Sequence, residues 1–167
     1  MTDLKSLLNN LDISAEWIGL REVKETKTYR SIRDLNPQSN TSVDTHGIMV
    51  EVLCNGQFGY AATNDMTLSG VNNAAKNAYQ NAMIASKNSL FKFNPDVRPK
   101  AVGNYKSPFL KNSSSLSAGE INQILIKSNK FLKSSEKVIS AISMVMIVES
   151  EFNLSLIHIS EPTRPLH

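Results

Sequence analysis

The sequence predicts an α+β fold, with helices packed on a mixed or antiparallel sheet that contains a tight Asn-Gly hairpin. Three observations lead there. Asn55 and Gly56 separate two alternating apolar runs, IMVEVLC and QFGYAAT, and a two-residue turn needs φ > 0 at both central positions, which Asn and Gly tolerate. Downstream, Leu68, Val71, Ala75, Ala78, Ala82 and Ala85 recur at three- and four-residue steps, the period of one helical face. Ser117 and Glu120 are spaced as a capping box, in which hydroxyl and carboxylate satisfy orphan amides reciprocally.

Taken in order, residues 1–15 carry a helical stripe of Leu4, Leu7, Leu8 and Leu11 among acidic and polar residues, which is not a signal-peptide pattern. Residues 17–33 are rich in Thr, Val, Ile, Tyr and charge and predict a long, partly exposed strand at a sheet edge. Residues 36–45, NPQSNTSVDT, read as a polar turn region, with His46 a surface loop residue.

A two-residue turn at Asn55 and Gly56 pairs Cys54 with Gln57, Leu53 with Phe58, Val52 with Gly59 and Val50 with Ala61. One face then holds Ile48, Val50, Val52 and Cys54 opposite the small residues Gly59 and Ala61. The other holds Met49, Glu51, Leu53, Phe58 and Tyr60. Thr63, Asn64 and Asp65 can supply the N-cap of the alanine helix, whose smooth ridge over Gly59 and Ala61 permits a close approach of helix and sheet.

Residues 91–116 contain Pro95, Pro99 and Pro108 and predict a long irregular excursion, pinned to the body by Phe91, Phe93, Tyr105 and Phe109. After the capping box, Ile121, Ile124, Leu125, Ser128, Phe131 and Leu132 form the apolar face of a helix. Residues 137–149 read as a strand apolar on both sides, hence central or doubly covered.

Composition narrows the function classes. The 167 residues carry a formal charge of +3, with scattered positive residues and no recognised nucleic-acid motif, so solvated faces are favoured over a binding surface. The lone Cys54 excludes an internal disulfide framework and fits a reducing cytoplasm. The most apolar run, residues 138–148, is shorter than the roughly 20 residues a membrane helix requires. No P-loop or glycine-rich phosphate site is present.

The segment GIMVEV, the Asn55-Gly56 turn, FGYAATND from Phe58 to Asp65 and the alanine-rich helix together resemble the N-terminal domain of the TldD/PmbA family, also called modulator of DNA gyrase. The upstream WIGLREV from Trp17 is similar to that family's first strand. Glu51 departs from the pattern, standing where an arginine is common. The resemblance implies a metallopeptidase that degrades or trims flexible peptides, with zinc held by a His-Glu-x-x-x-His helix and a later ligand in the second half of the protein.

Such a site needs two histidines about a helical turn apart beside a glutamate. This chain has only His46, His158 and His167 and no His-Glu pair. No residue is therefore assigned a catalytic or metal-binding role, and zinc is implied only for the full-length family. Residues 154–164, LSLIHISEPTR, are similar to an in-frame translation of a transposon-based library adaptor. Residues 1–153 are accordingly expected to be a truncated TldD/PmbA-like N-terminal domain, with 154–167 an artefact tail set aside from fold reasoning.

The implied partners are a missing C-terminal catalytic domain, a homo- or heterodimer partner of the family type and a peptide substrate, with no nucleic acid and no membrane. The hairpin face of Met49, Glu51, Leu53, Phe58 and Tyr60 is the candidate contact with substrate or partner, a second buried layer being the competing reading. The alternatives are a noncatalytic paralogue subunit or a stand-alone α+β binding module.

Overall fold

The computed structural model describes residues 2–98, 103, 105–108 and 110–158. Their order is α1 (Leu4–Asn9), β1 (Trp17–Arg33), β2 (Asn36–Cys54), β3 (Gln57–Thr63), α2 (Leu68–Lys87), two short 3-10 turns, α3 (Ala118–Leu132) and β4 (Ile142–His158). The strands form one sheet in the order β3-β2-β1-β4, and helices on an antiparallel sheet make this the expected α+β fold. The described residues fall into two compact units. One draws on 1–24, 45–101 and 151–167, the other on 25–44 and 102–150.

In the first unit, the hairpin pairs Cys54 with Gln57, Leu53 with Phe58, Val52 with Gly59 and Val50 with Ala61, the register that a two-residue turn imposes. Asn55 and Gly56 take φ of 51° and 72°. Ile48, Val50 and Val52 are completely buried and pack with Val71, Ala74, Ala75, Ala78 and Ala82 of α2. Each fully buried Val or Ile contributes about 1.5–3 kcal/mol of transfer free energy, so this aliphatic layer dominates the unit. Leu4 and Leu8 of α1 join the same cluster, with Leu7 and Leu11 packed against it.

The small residues set the spacing between helix and sheet. A β-carbon on Gly59 would lie 2.0 Å from the Ala78 carbonyl oxygen and 2.4 Å from the Ala82 nitrogen. The buried ridge is narrower than the sequence stripe, since Leu68 and Ala85 at the two ends are exposed, while Gly70 and Ala74 are buried. The N-cap is Thr67, whose hydroxyl accepts from the Gly70 N–H at 3.2 Å; it is not one of residues 63–65. Thr63 and Asp65 instead build the turn before it, each accepting a backbone N–H two residues on.

The second unit departs further from expectation. The chain reverses at Asp34 and Leu35, with φ of 50° and 68°, so residues 36–45 begin β2 and are not a turn region. The sequence hides this turn because neither residue is glycine. Asp34 is held by its surroundings: Lys133 Nζ lies 2.9 Å away, and the Ala141 N–H and Ser140 hydroxyl donate to its carboxylate at 3.0 and 2.9 Å. Asn129 of α3, completely buried, accepts from the Leu35 N–H at 2.9 Å and donates to the Ala141 carbonyl at 3.0 Å.

Three further expectations are corrected. β1 is an interior strand, flanked by β2 and β4, and not an edge. β4 is itself at the end of the sheet, with Ile142, Met144, Met146 and Val148 exposed on one face, so it is neither central nor doubly covered. The α3 capping box forms as expected, Ser117 N–H to Glu120 Oε2 at 2.7 Å and Glu120 N–H to Ser117 Oγ at 3.2 Å. Its buried face, however, is Ile121, Leu125 and Asn129, packed with Ile32; Ile124, Ser128, Phe131 and Leu132 are exposed. A buried polar residue breaks the apolar count that periodicity relies on.

β4 also extends through residues 154–158, part of the segment set aside on sequence grounds. Residues 159–167, including His167, and Phe109 and Pro99 of the excursion lie outside the described residues. Tyr105 is exposed and pins nothing.

Candidate functional site

The site lies in the first unit, on the hairpin face turned away from α2. Strand alternation puts Met49, Glu51, Phe58 and Tyr60 on that face. The chain after α2 returns over it, anchored by backbone groups: the Phe93 N–H donates to the Gly56 carbonyl at 2.8 Å, and Gln57 Nε2 donates to the Phe91 carbonyl. Phe93 then meets Phe91 edge to face and Phe58 at a tilt, at centroid distances of 5.3 and 5.5 Å, and Phe58 meets Trp17 edge to face at 6.0 Å. Two of the four aromatics expected to pin the excursion, Phe91 and Phe93, do so.

Arg98 closes the arrangement. Its guanidinium carbon sits 4.5 Å from the Phe58 ring centroid and 5.9 Å from that of Trp17, within cation–π range. It forms an ion pair with Glu51 and donates to the Tyr60 hydroxyl at 3.3 Å. Burial, then the neighbouring Glu51 carboxylate, push the Tyr60 phenol above its ordinary value despite Arg98, so it remains a protonated donor at neutral pH. Arg98 Nε is buried with no hydrogen-bond partner.

Beside Arg98 opens a cavity of about 370 Å³, lined by Trp17, Leu20, Arg21, Met49, Glu51 and Tyr60 and by Leu154 and Leu156 of β4. Three of the five candidate residues, Met49, Glu51 and Tyr60, therefore line one cavity. Phe58 is half-buried in the aromatic stack beneath Arg98, and Leu53 is completely buried. Arg21 and Arg98 were missed as site residues: Arg21 reads as an ordinary strand charge, and Arg98 lies in a segment without periodicity.

A second polar centre surrounds Glu22, which is 3% exposed. Its carboxylate accepts from the Thr2 N–H and hydroxyl, from Asn153 Nδ2 and from His46 Nε2 at 2.9 Å. Burial alone would raise its pKa, but the hydrogen bonds from His46, Thr2 and Asn153 outweigh it and hold the carboxyl down at about 2. His46, expected in a loop, belongs to β2 and is committed to this carboxylate. Among the described residues no group of three His, Cys, Asp or Glu side chains is placed to hold a metal ion. The described residues do not fit zinc. No described helix is long and apolar enough to cross a membrane.

Comparison with known proteins gives these features a family context. Residues 19–82 match the family model described as PmbA/TldA metallopeptidase domain 1. No curated protein sequence matches the chain. Among solved structures, a candidate modulator of DNA gyrase from Bacteroides thetaiotaomicron VPI-5482 superposes with a TM-score of 0.63 at 15% identity, covering 91% of this chain and 34% of that one. A second candidate modulator of DNA gyrase, from Thermotoga maritima MSB8, gives 0.53 at 13% identity, covering 83% and 31%. TldE from Thermococcus kodakarensis gives 0.53 at 14% identity, covering 90% and 33%. The chain thus spans about a third of the length of these structures, which share its fold. The hairpin, the alanine ridge and the Gly59 contact all lie inside the matched segment, and residues 19–82 are thus similar to the first domain of the PmbA/TldD family.

Proposed function

We propose that this chain is the N-terminal, non-catalytic portion of a zinc-dependent metallopeptidase that acts on flexible peptides or proteins. The observation that carries this reading is the match of residues 19–82 to the first domain of that family. The donor set supports the non-catalytic role, because His46 is taken up by Glu22 and no described cluster suits a metal. Zinc, the hydrolytic step and its general base belong to a catalytic domain outside this sequence. The present residues would help bind and orient a peptide, with the cavity beside Arg98 as the contact. The buried thiol of Cys54 fits a cytoplasmic setting, and a homo- or heterodimer partner of the family type completes the proposed assembly.

Sequencing the source DNA across codon 153 with adaptors trimmed tests the reading. A frame that continues into a His-Glu-x-x-x-His segment is the expected result. A continuation without that segment would favour the noncatalytic paralogue subunit. Genomic codons for LSLIHISEPTR followed by a stop would overturn the proposal in favour of a stand-alone binding module.

A further inference from the structure

In the second unit β4 ends the sheet, and its stretch from Ile142 to Val148 is covered on two sides and open on two. β1 lies along one edge. On one face Ser143 is buried, and Val145 and Ile147 pack on the cluster of Ile32, Ile121 and Leu125. On the other face stand Ile142 and Val148, both 43% exposed, with Met144 and Met146 at 61% and 65%. No described strand pairs with the outer edge. The segment before α3 reaches β4 further along, where the Ser113 hydroxyl donates to Glu149.

A free edge presents unpaired N–H and C=O groups, which proteins commonly blunt with lysine, proline or a bulge. Residues 142–148, ISMVMIV, hold no charge and no proline, so this edge is a template for another strand. Charge along the chain selects which strand. Glu149 and Glu151 follow the apolar row, whereas residues 138–141, VISA, precede it uncharged. A parallel copy in register would set the glutamates of two chains side by side, where like charges destabilise. An antiparallel copy sets them against the uncharged end and lays one apolar row beside the other. A single self-complementary patch is all that such a two-fold contact needs.

We propose that this chain dimerises by antiparallel pairing of β4 with β4 of a second copy across residues 142–148, joining the two rows of Ile142, Met144, Met146 and Val148 into one apolar face. This gives the homodimer of the reading above its surface and rests on that reading for a like partner. Every residue named for pairing precedes 154.

The experiment is sedimentation velocity on the full chain over a dilution series, with amide hydrogen exchange measured at its two ends. A concentration-dependent shift from one chain to two is expected between about 1 and 200 µM, the weak range for an interface at the small end of the scale. Exchange over 142–148 should slow at least about threefold at the high end, as edge amides gain partners. Met144→Lys and Met146→Lys, each placing a charge on the edge, should remain single chains at every concentration. Leu90→Lys, at a fully exposed position of the first unit, should dimerise like the parent.

A chain that stays single throughout assigns the face to a different partner and overturns the inference. So does a dimer whose exchange over 142–148 is unchanged, or one that both lysine variants leave intact. The exchange measurement on the unaltered chain decides the matter even if a variant fails to fold. Failure here leaves the metallopeptidase reading standing, because that reading is decided by the DNA downstream of codon 153.

Discussion

The α-carbon of Gly59 faces the backbone of Ala78 so closely that a β-carbon there would sit 2.0 Å from the Ala78 carbonyl oxygen. The obstacle is main chain of a helix that is itself packed on buried Val50 and Val52, so no side-chain rotation can relieve it. Gly59→Ala is expected to destabilise the chain by roughly 1–3 kcal/mol or more, the range for overpacking a rigid core. Urea unfolding measures it, with Gly103→Ala, where a β-carbon meets nothing within 4 Å, as the near-neutral control.

The Glu22 centre predicts an acid limb. Its folded pKa, about 2, lies below the ordinary 4.5, so the unfolded chain takes up a proton more readily. The resulting stabilisation is complete above pH 4.5 and is lost as pH falls towards 2. It amounts to on the order of 3 kcal/mol at most. Thermal melts between roughly pH 6 and pH 2 should show Glu22→Gln less stable than the parent at the upper end and the gap closing at the lower. A gap that stays constant with pH would contradict the assignment.

Asp34 adds a second acid-sensitive element. Lys133, the Ala141 N–H and the Ser140 hydroxyl hold its carboxyl at about 2 against an ordinary 3.8. The same sign applies, and its contribution fades as pH drops through that interval. Asp34→Asn should remove the acid-dependent part while keeping a turn-compatible residue, since Asn tolerates positive φ. The pH dependence of unfolding in this variant checks it.

Asn129 is expected to be the least replaceable residue of α3. Alanine there leaves the part-buried Leu35 N–H without its acceptor, while the Ala141 carbonyl keeps the Asp34 N–H at 3.0 Å. The loss should be about 1–3 kcal/mol, from one unsatisfied group. Leucine, although apolar, should be no better, because the orphaned N–H remains. Denaturant midpoints for both variants test the point, with the exposed Lys130→Ala as a mild comparison.

Leu35 offers the opposite sign. Its φ of 68° lies where a β-carbon costs about 1–2 kcal/mol, and its side chain is 42% exposed. Leu35→Gly should therefore stabilise the chain by up to about 1 kcal/mol, after the entropy of the unfolded glycine is subtracted. A lower melting temperature would show that the Leu35 side chain contributes more than its exposure suggests.

Wherever a local rule had one dominant cause, the sequence by itself determined the result. Asn55 and Gly56 fixed the hairpin register, because such residues accept two successive positive φ values at little cost and a two-residue turn leaves no freedom in pairing. Ser117 and Glu120 fixed a helix start, and the small residues of α2, with Gly59, fixed a close helix–sheet contact. Tertiary structure decided what local preference does not encode. The Asp34–Leu35 turn exists because Asn129, Lys133 and Ala141 satisfy it from distant positions. β4 is an edge because strand order depends on which neighbours pair, not on how apolar a strand is. Arg21 and Arg98, far apart in the chain, share a cavity only after the segment following α2 folds back on Phe58, bringing an ordinary strand charge beside an arginine from an irregular loop.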